Sequence, residues 1–162
     1  MAPIMACQVV GLGCKNAVTT IEGPPGKEAA LAGSSRLTLL VVDDQALFRR
    51  ALEDRLRAEG FTVLGAENGR EALDLLERSA TPCLVLLDVV MPVMNGVEFL
   101  YALDRRRDAD DVRVVLVSAY AVVDQVALHS PRIVGRLHKP VDLAELRHAI
   151  QAQIMASAHL PN

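Results

Sequence analysis

The sequence predicts an α/β domain built on a doubly wound parallel sheet, and three observations carry that expectation. Strand-sized apolar runs alternate five times with segments whose apolar residues recur at helical spacing. Two of the runs, Leu37–Val42 and Cys83–Leu87, are nearly continuous in hydrophobicity, the pattern of strands covered on both faces. Both runs stop abruptly on acids, Asp43-Asp44 and Asp88. These acids would lie at the carboxyl ends of their strands, where open α/β sheets place their ligands.

Taken in order, the first strand is Leu37–Val42 and the first helix runs from about Gln45 to Glu59, burying Phe48, Ala51, Leu52 and Leu56. Gly60 is a natural stop. The second strand is Thr62–Ala66. Asn68-Gly69 turns the chain into a second helix near Arg70–Arg78, with Ala72, Leu73 and Leu76 against the sheet. Thr81-Pro82 closes that helix, and Cys83–Leu87 is the third strand. A third helix starts near Gly96 and buries Val97, Phe99, Leu100 and Leu103. The fourth strand is Val112–Val117, ending on Ser118. Between Val122 and His129 a short helix is expected, broken at Ser130-Pro131. The fifth strand is read as short, Arg136–His138, before Lys139-Pro140. Asp142 caps the last helix, with Glu145 three residues on, and Leu146, Ala149, Ile150 and Ile154 form its apolar face. Right-handed crossovers restrict the topology further.

The bulk composition excludes several classes. The 162 residues suffice for one domain with a real core, and 51% of them are hydrophobic. A net charge of −3 gives no basic footprint for nucleic acid. In Arg105-Arg106-Arg107 the charge is offset by Asp108, Asp110 and Asp111, which reads as a solvated loop. No apolar run approaches the roughly 18 residues of a membrane span. The first basic residue is Lys15, behind the mildly apolar start, which is the wrong order for a signal peptide. Cys7, Cys14 and Cys83 lack metal-site spacing, and Cys83 is read as a small core hydrophobe. His129, His138, His148 and His159 are scattered and are read as surface or structural. A soluble, cytoplasmic protein is expected. Met1 to Ser35, with Gly23-Pro24-Pro25-Gly26 and no sustained periodicity, is read as a flexible leader. Gly26-Lys27 is not a phosphate loop, since Ile21 stands where the first glycine is required and Glu28 follows the lysine.

The strand ends deliver Asp43, Asp44, Asp88, Ser118 and Lys139 to one edge of the sheet. Like charges held close repel, so three acids converging there call for a cation. Hard oxygen ligands in a small open cluster suit Mg²⁺, which keeps several waters and favours sites shared with phosphate. A carboxylate beside such a cation can attack phosphorus, and a lysine and a hydroxyl can balance the phosphoryl oxygens.

From about Arg36 to Met155 the chain resembles the receiver domains of two-component response regulators. The motifs are Leu40-Val41-Val42-Asp43-Asp44, Ala66-Glu67-Asn68-Gly69-Arg70-Glu71-Ala72-Leu73, Leu86-Leu87-Asp88-Val89-Val90-Met91-Pro92-Val93-Met94-Asn95-Gly96, Val117-Ser118-Ala119 and His138-Lys139-Pro140, in receiver-like order and spacing. The resemblance implies a flavodoxin-like five-stranded sheet in the order 2-1-3-4-5 with five helices, the fourth short or broken. It implies a receiver domain over residues 36–156, between the leader and a tail at 157–162. It makes Asp88 the phosphoacceptor, assigns Mg²⁺ to Asp43, Asp44, Asp88 and the carbonyl of Val90, and gives Ser118 and Lys139 to the phosphoryl group. It also implies a cis Lys139-Pro140 peptide.

Three departures are visible. Arg136 stands where the family has its switch aromatic, and an arginine cannot bury and rotate like a ring. The fourth helix is broken at Pro131. Val90 and Tyr120 flank the site and neither readily positions an attacking water, so slow self-dephosphorylation is expected. The expected function is a stand-alone, phosphorylation-controlled signalling module without an output domain of its own. Its partners would be a sensor histidine kinase or a histidine phosphotransfer protein, and a separate output protein. It would not bind nucleic acid directly or insert into a membrane, and would be a monomer or weak dimer. The competing readings are a phosphorylation-independent binding module, kept open by Arg136, and an aspartyl-phosphate phosphatase. The second is disfavoured by adjacent acids and by the lack of sequence for a cap.

Overall fold

The computed structural model describes residues 37–78, 83–107, 109–119 and 130–157. Its elements are β1 (Thr38–Val42), α1 (Ala46–Ala58), β2 (Thr62–Ala66), α2 (Gly69–Arg78), β3 (Cys83–Leu87), α3 (Gly96–Asp104), β4 (Val112–Ser118), β5 (Ile133–His138) and α4 (Leu143–Ser157). The sheet is wholly parallel in the order β2-β1-β3-β4-β5, as the resemblance implied. The central strands β1, β3 and β4 are almost completely buried, which explains why their sequences read as runs rather than alternations. The switch point falls between β1 and β3, whose registers align Val42 with Leu87.

Side chains alternate between two cores with the strand period of two. Leu40, Val42, Val85, Leu87, Val114 and Leu116 pack against Ala72, Leu73 and Leu76 of α2 and Phe99, Leu100 and Leu103 of α3. Leu39, Val41, Leu84, Leu86, Val115, Val117 and Leu137 pack against Leu52 and Leu56 of α1 and Leu146 and Ile150 of α4, with Phe48 at the margin. Burying an aliphatic side chain such as Leu146 or Ile150 contributes about 1.5–3 kcal/mol. Glu59, at the end of α1, receives a forked pair of bonds from Arg147 of α4 (3.0 and 2.7 Å), tying the two helices together. Arg147 also holds the Glu59 carboxyl below its ordinary value.

Helix starts follow local chemistry. Asn68 Oδ1 accepts the amides of Arg70 and Glu71 at 3.0 Å each. Asn95 and Glu98 form a reciprocal capping box on α3. The Asp142 carboxylate accepts the Ala144 and Glu145 amides at 2.7 and 3.3 Å. Gly60 ends α1 at φ 90°, a conformation that favours glycine.

Two expectations need correction, and a third is not tested. β5 is six residues long, not three: Ile133 and Val134 belong to it, and Gly135, which reads as a break in a strand, separates them from the predicted part. Ala51 and Val97 face outward, Val97 at 39% exposure, since neighbouring residues of their helices already cover the sheet. The expected helix at Val122–His129 lies outside the described residues, which hold four helices.

Val93, in the loop between β3 and α3, has φ 69° and is 82% exposed. A β-branched side chain in the left-handed region is strained and here gains no packing in return. Val93→Asn is expected to raise stability by about 1 kcal/mol, read as a higher urea midpoint at unchanged slope. A lower midpoint would contradict this.

Candidate functional site

The site stands at the carboxyl edge of the sheet and follows from strand periodicity carried one step past the strand ends. The Asp43 amide donates to Ala66 O (3.1 Å) and the Asp88 amide to Val42 O (2.9 Å), so the ladder continues into both acids. Asp43 lies two residues after Val41, Asp88 two after Leu86 and Lys139 two after Leu137. All three therefore emerge on the face shared with α1 and α4. Asp43 and Asp88 are 2% and 4% exposed, while Asp44 is exposed.

The Lys139 ammonium lies 2.6 Å from Asp43 Oδ2 and 2.6 Å from Asp88 Oδ2. The Ser118 hydroxyl donates to Asp88 Oδ1 at 2.8 Å, and the Val90 amide donates to the same oxygen at 3.2 Å. The Gln45 amide donates to Asp43 Oδ1 at 2.9 Å, and an Arg49 guanidinium nitrogen to the Asp43 carbonyl. Lys139 is aimed by its backbone, whose amide donates to Ser118 O (3.0 Å), and the Lys139-Pro140 peptide is cis, as expected.

One cation shared by two buried acids explains the electrostatics. Burial raises the Asp43 pKa, and the neighbouring Asp88 charge adds to this. Half-shares in Lys139 and the Gln45 amide offset burial only in part. Burial also acts to lower the Lys139 pKa, but bonds to both Asp43 and Asp88 outweigh it and raise it above the ordinary lysine value. The pocket thus holds more acid than its lysine balances. Ligand oxygens of Asp43, Asp44 and Asp88 all lie within 4.8 Å of one another, which suits an oxygen-seeking divalent cation.

Tyr120, expected to flank the site, lies outside the described residues; the other sequence-predicted site residues are described. Asp43, Asp44, Asp88, Ser118 and Lys139 come together. Val90 adjoins the site through its amide and carries a 59% exposed side chain. Arg136 is exposed on β5 and lines a groove with His148 and Gln153 of α4. Cys83 is fully in the core, where burial pushes its thiol up to about 12. Sequence reasoning missed Phe48 as a site neighbour: its ring centroid is 4.7 Å from the Lys139 ammonium. Helical spacing had placed it simply on the buried face of α1, and no sequence signal separates those roles.

Fold and site together define a doubly wound α/β domain with a carboxylate cluster at its switch point. Residues 39–151 match the family described as response regulator receiver domain. The chain is 35% identical over 116 residues to sporulation initiation phosphotransferase F of Bacillus subtilis, covering 70% of this chain and 90% of that protein. It is 40% identical over 93 residues to a protein-glutamate methylesterase/protein-glutamine glutaminase of Treponema pallidum, covering 56% of this chain but 22% of that longer protein. The crystal structure of the response regulator TrrA of Thermotoga maritima in complex with Mg²⁺-BeF superposes with a TM-score of 0.62 at 29% identity, covering 72% of this chain and 97% of that one. The chain belongs to the response regulator receiver domain family of two-component signalling. Phosphorylation and Mg²⁺ binding are typical of that family. Among the described residues, no helix is long and apolar enough to cross a membrane.

Proposed function

We propose that this chain is a response regulator receiver that accepts a phosphoryl group on Asp88 and signals through protein contacts. The supporting observation is the arrangement around Asp88: Lys139 bridges it to Asp43, and Ser118 holds its other oxygen. The donor would be a histidine kinase or a histidine phosphotransfer protein. A separate protein would receive the signal, with no direct contact to nucleic acid. The working unit would span Arg36 to Ala156, act in the cytoplasm and be a monomer or weak dimer.

An Asp88 carboxylate oxygen attacks the phosphorus of the donor. The phosphorus–nitrogen bond of phosphohistidine breaks as the new phosphorus–oxygen bond forms, giving an acyl phosphate. The leaving imidazole keeps the electron pair of the broken bond. Asp43, Asp44, Asp88 and the Val90 carbonyl would hold Mg²⁺, which supplies positive charge against the phosphoryl oxygens. Lys139 passes from the Asp88 carboxylate to a phosphoryl oxygen, and the Ser118 hydroxyl donates to another.

Incubation with acetyl phosphate is expected to give one phosphoryl adduct by intact mass, dependent on Mg²⁺ and absent in Asp88→Ala. No adduct under any condition would overturn the assignment. The acyl phosphate is expected to be long-lived, because the exposed Val90 offers no group to orient water. A half-life of only seconds in the purified protein would contradict this. A second reading, a phosphorylation-independent binding module, is favoured by the exposed Arg136 in place of a buried ring. It predicts normal phosphorylation without change in partner affinity.

A further inference from the structure

The Lys139 ammonium is held on two sides. Asp43 and Asp88 take it at 2.6 Å each, and the Phe48 ring lies beside it with the centroid at 4.7 Å. An ammonium within about 6 Å of a ring centroid is attracted by the negative face of the π-system, and more strongly where water is kept out. Phe48 is half-buried and packs on the α1–α4 core, so the ring is fixed by the same apolar contacts that seat α1 on the sheet.

We propose that Phe48 is a positioning residue for phosphoryl transfer, its ring face confining the Lys139 ammonium beside the Asp88 carboxylate. The inference rests on the phosphoacceptor reading above. A lysine ammonium is a compact charge on a flexible four-carbon stem, and two carboxylates on one side leave that stem free to swing outward. When phosphorus bonds to Asp88, that carboxylate loses its charge and much of its hold on Lys139. The ring carries no charge that the reaction alters. It keeps the ammonium within reach of the phosphoryl oxygen during the step in which the carboxylate lets go. A phenyl ring offers no metal ligand and no hydrogen bond to a phosphoryl oxygen, so its effect falls on the maximal rate and not on Mg²⁺ binding.

The chain has three lysines, Lys15, Lys27 and Lys139, so ¹³C-lysine labelling of the full chain gives a short set of side-chain signals, assigned by Lys139→Arg. In wild type the Lys139 ε-methylene protons are expected upfield of the other two by the ring current, and Phe48→Leu should abolish that difference while Phe48→Tyr keeps it. With acetyl phosphate at saturating Mg²⁺, Phe48→Leu is expected to slow adduct formation by about three- to tenfold, with Phe48→Tyr near the wild-type rate. The Mg²⁺ concentration for half-maximal rate should stay within about twofold in both variants. Unshifted Lys139 protons in wild type would overturn the proposal. So would a Phe48→Leu rate equal to wild type, or a slow rate that Phe48→Tyr fails to restore. If wild type forms no adduct at all, the phosphoacceptor reading falls and the kinetic role with it, while the lysine signals still report whether the ring holds the ammonium.

Discussion

Lys139→Met is expected to destabilise the fold by about 3–5 kcal/mol in the absence of divalent cation, measured by urea unfolding with chelator present. The substitution keeps the length of the side chain and removes its charge. Asp43 and Asp88, both buried, would then face each other with no cation between them. Mg²⁺ should restore more stability to the variant than it adds to wild type, because it replaces the missing positive charge. The pH dependence of wild type has a definite sign. The Lys139 pKa is raised by folding, so the stabilisation it gives is complete below the ordinary lysine value of 10.5 and is lost as pH climbs through the raised value. Asp43, raised from 3.8 chiefly by burial, has the same sign in a lower pH range: folding favours its protonated form, and that contribution fades as pH rises through its folded value. Unchanged stability of Lys139→Met in chelator would show that the acids do not depend on the lysine.

Gly96→Ala is expected to cost about 3 kcal/mol or more and to impair the site at the same time. A Cβ at Gly96 would meet the Asp88 carbonyl oxygen at 2.6 Å and Val89 Cα at 2.8 Å. These are backbone atoms, and no side-chain rotation relieves the clash. The Gly96 amide also donates to Val89 O (2.9 Å), so the start of α3 is tied to the segment that follows the phosphoacceptor candidate. Relief would require moving α3 away or displacing Asp88 from Lys139 and Ser118. The first lowers the unfolding midpoint, and the second slows adduct formation with acetyl phosphate. A variant with wild-type midpoint and wild-type rate would contradict the close approach.

Much of this was legible in the sequence, for reasons particular residues make clear. β1, β3 and β4 are covered on both faces, so Leu39–Val42, Leu84–Leu87 and Val114–Val117 had to be apolar throughout. The acids that end β1 and β3 stood out against those runs. Asn68 and Asp142 announced their helices because capping is settled within three or four residues of chain. β5 was underestimated because Gly135 interrupts its short apolar pattern, although pairing with β4 continues through it. Val97 and Ala51 were assigned to buried faces because helical spacing marks a stripe and not the width that the sheet covers.

By itself the sequence determined the layering of the domain, the identity of the three acids, the serine and the lysine, and the family to which they belong. Each of those rests on periodicity or on local motifs, which act over a few residues. The tertiary structure decided what those residues do to one another. Only the alignment of β1, β3 and β5 places one lysine between two acids separated by 45 positions, leaving the pocket with more acid than its cation balances. Only the seating of α1 on the sheet brings Phe48 against that lysine. Contacts between distant parts of the chain depend on how the layers pack, and no spacing within one element encodes them.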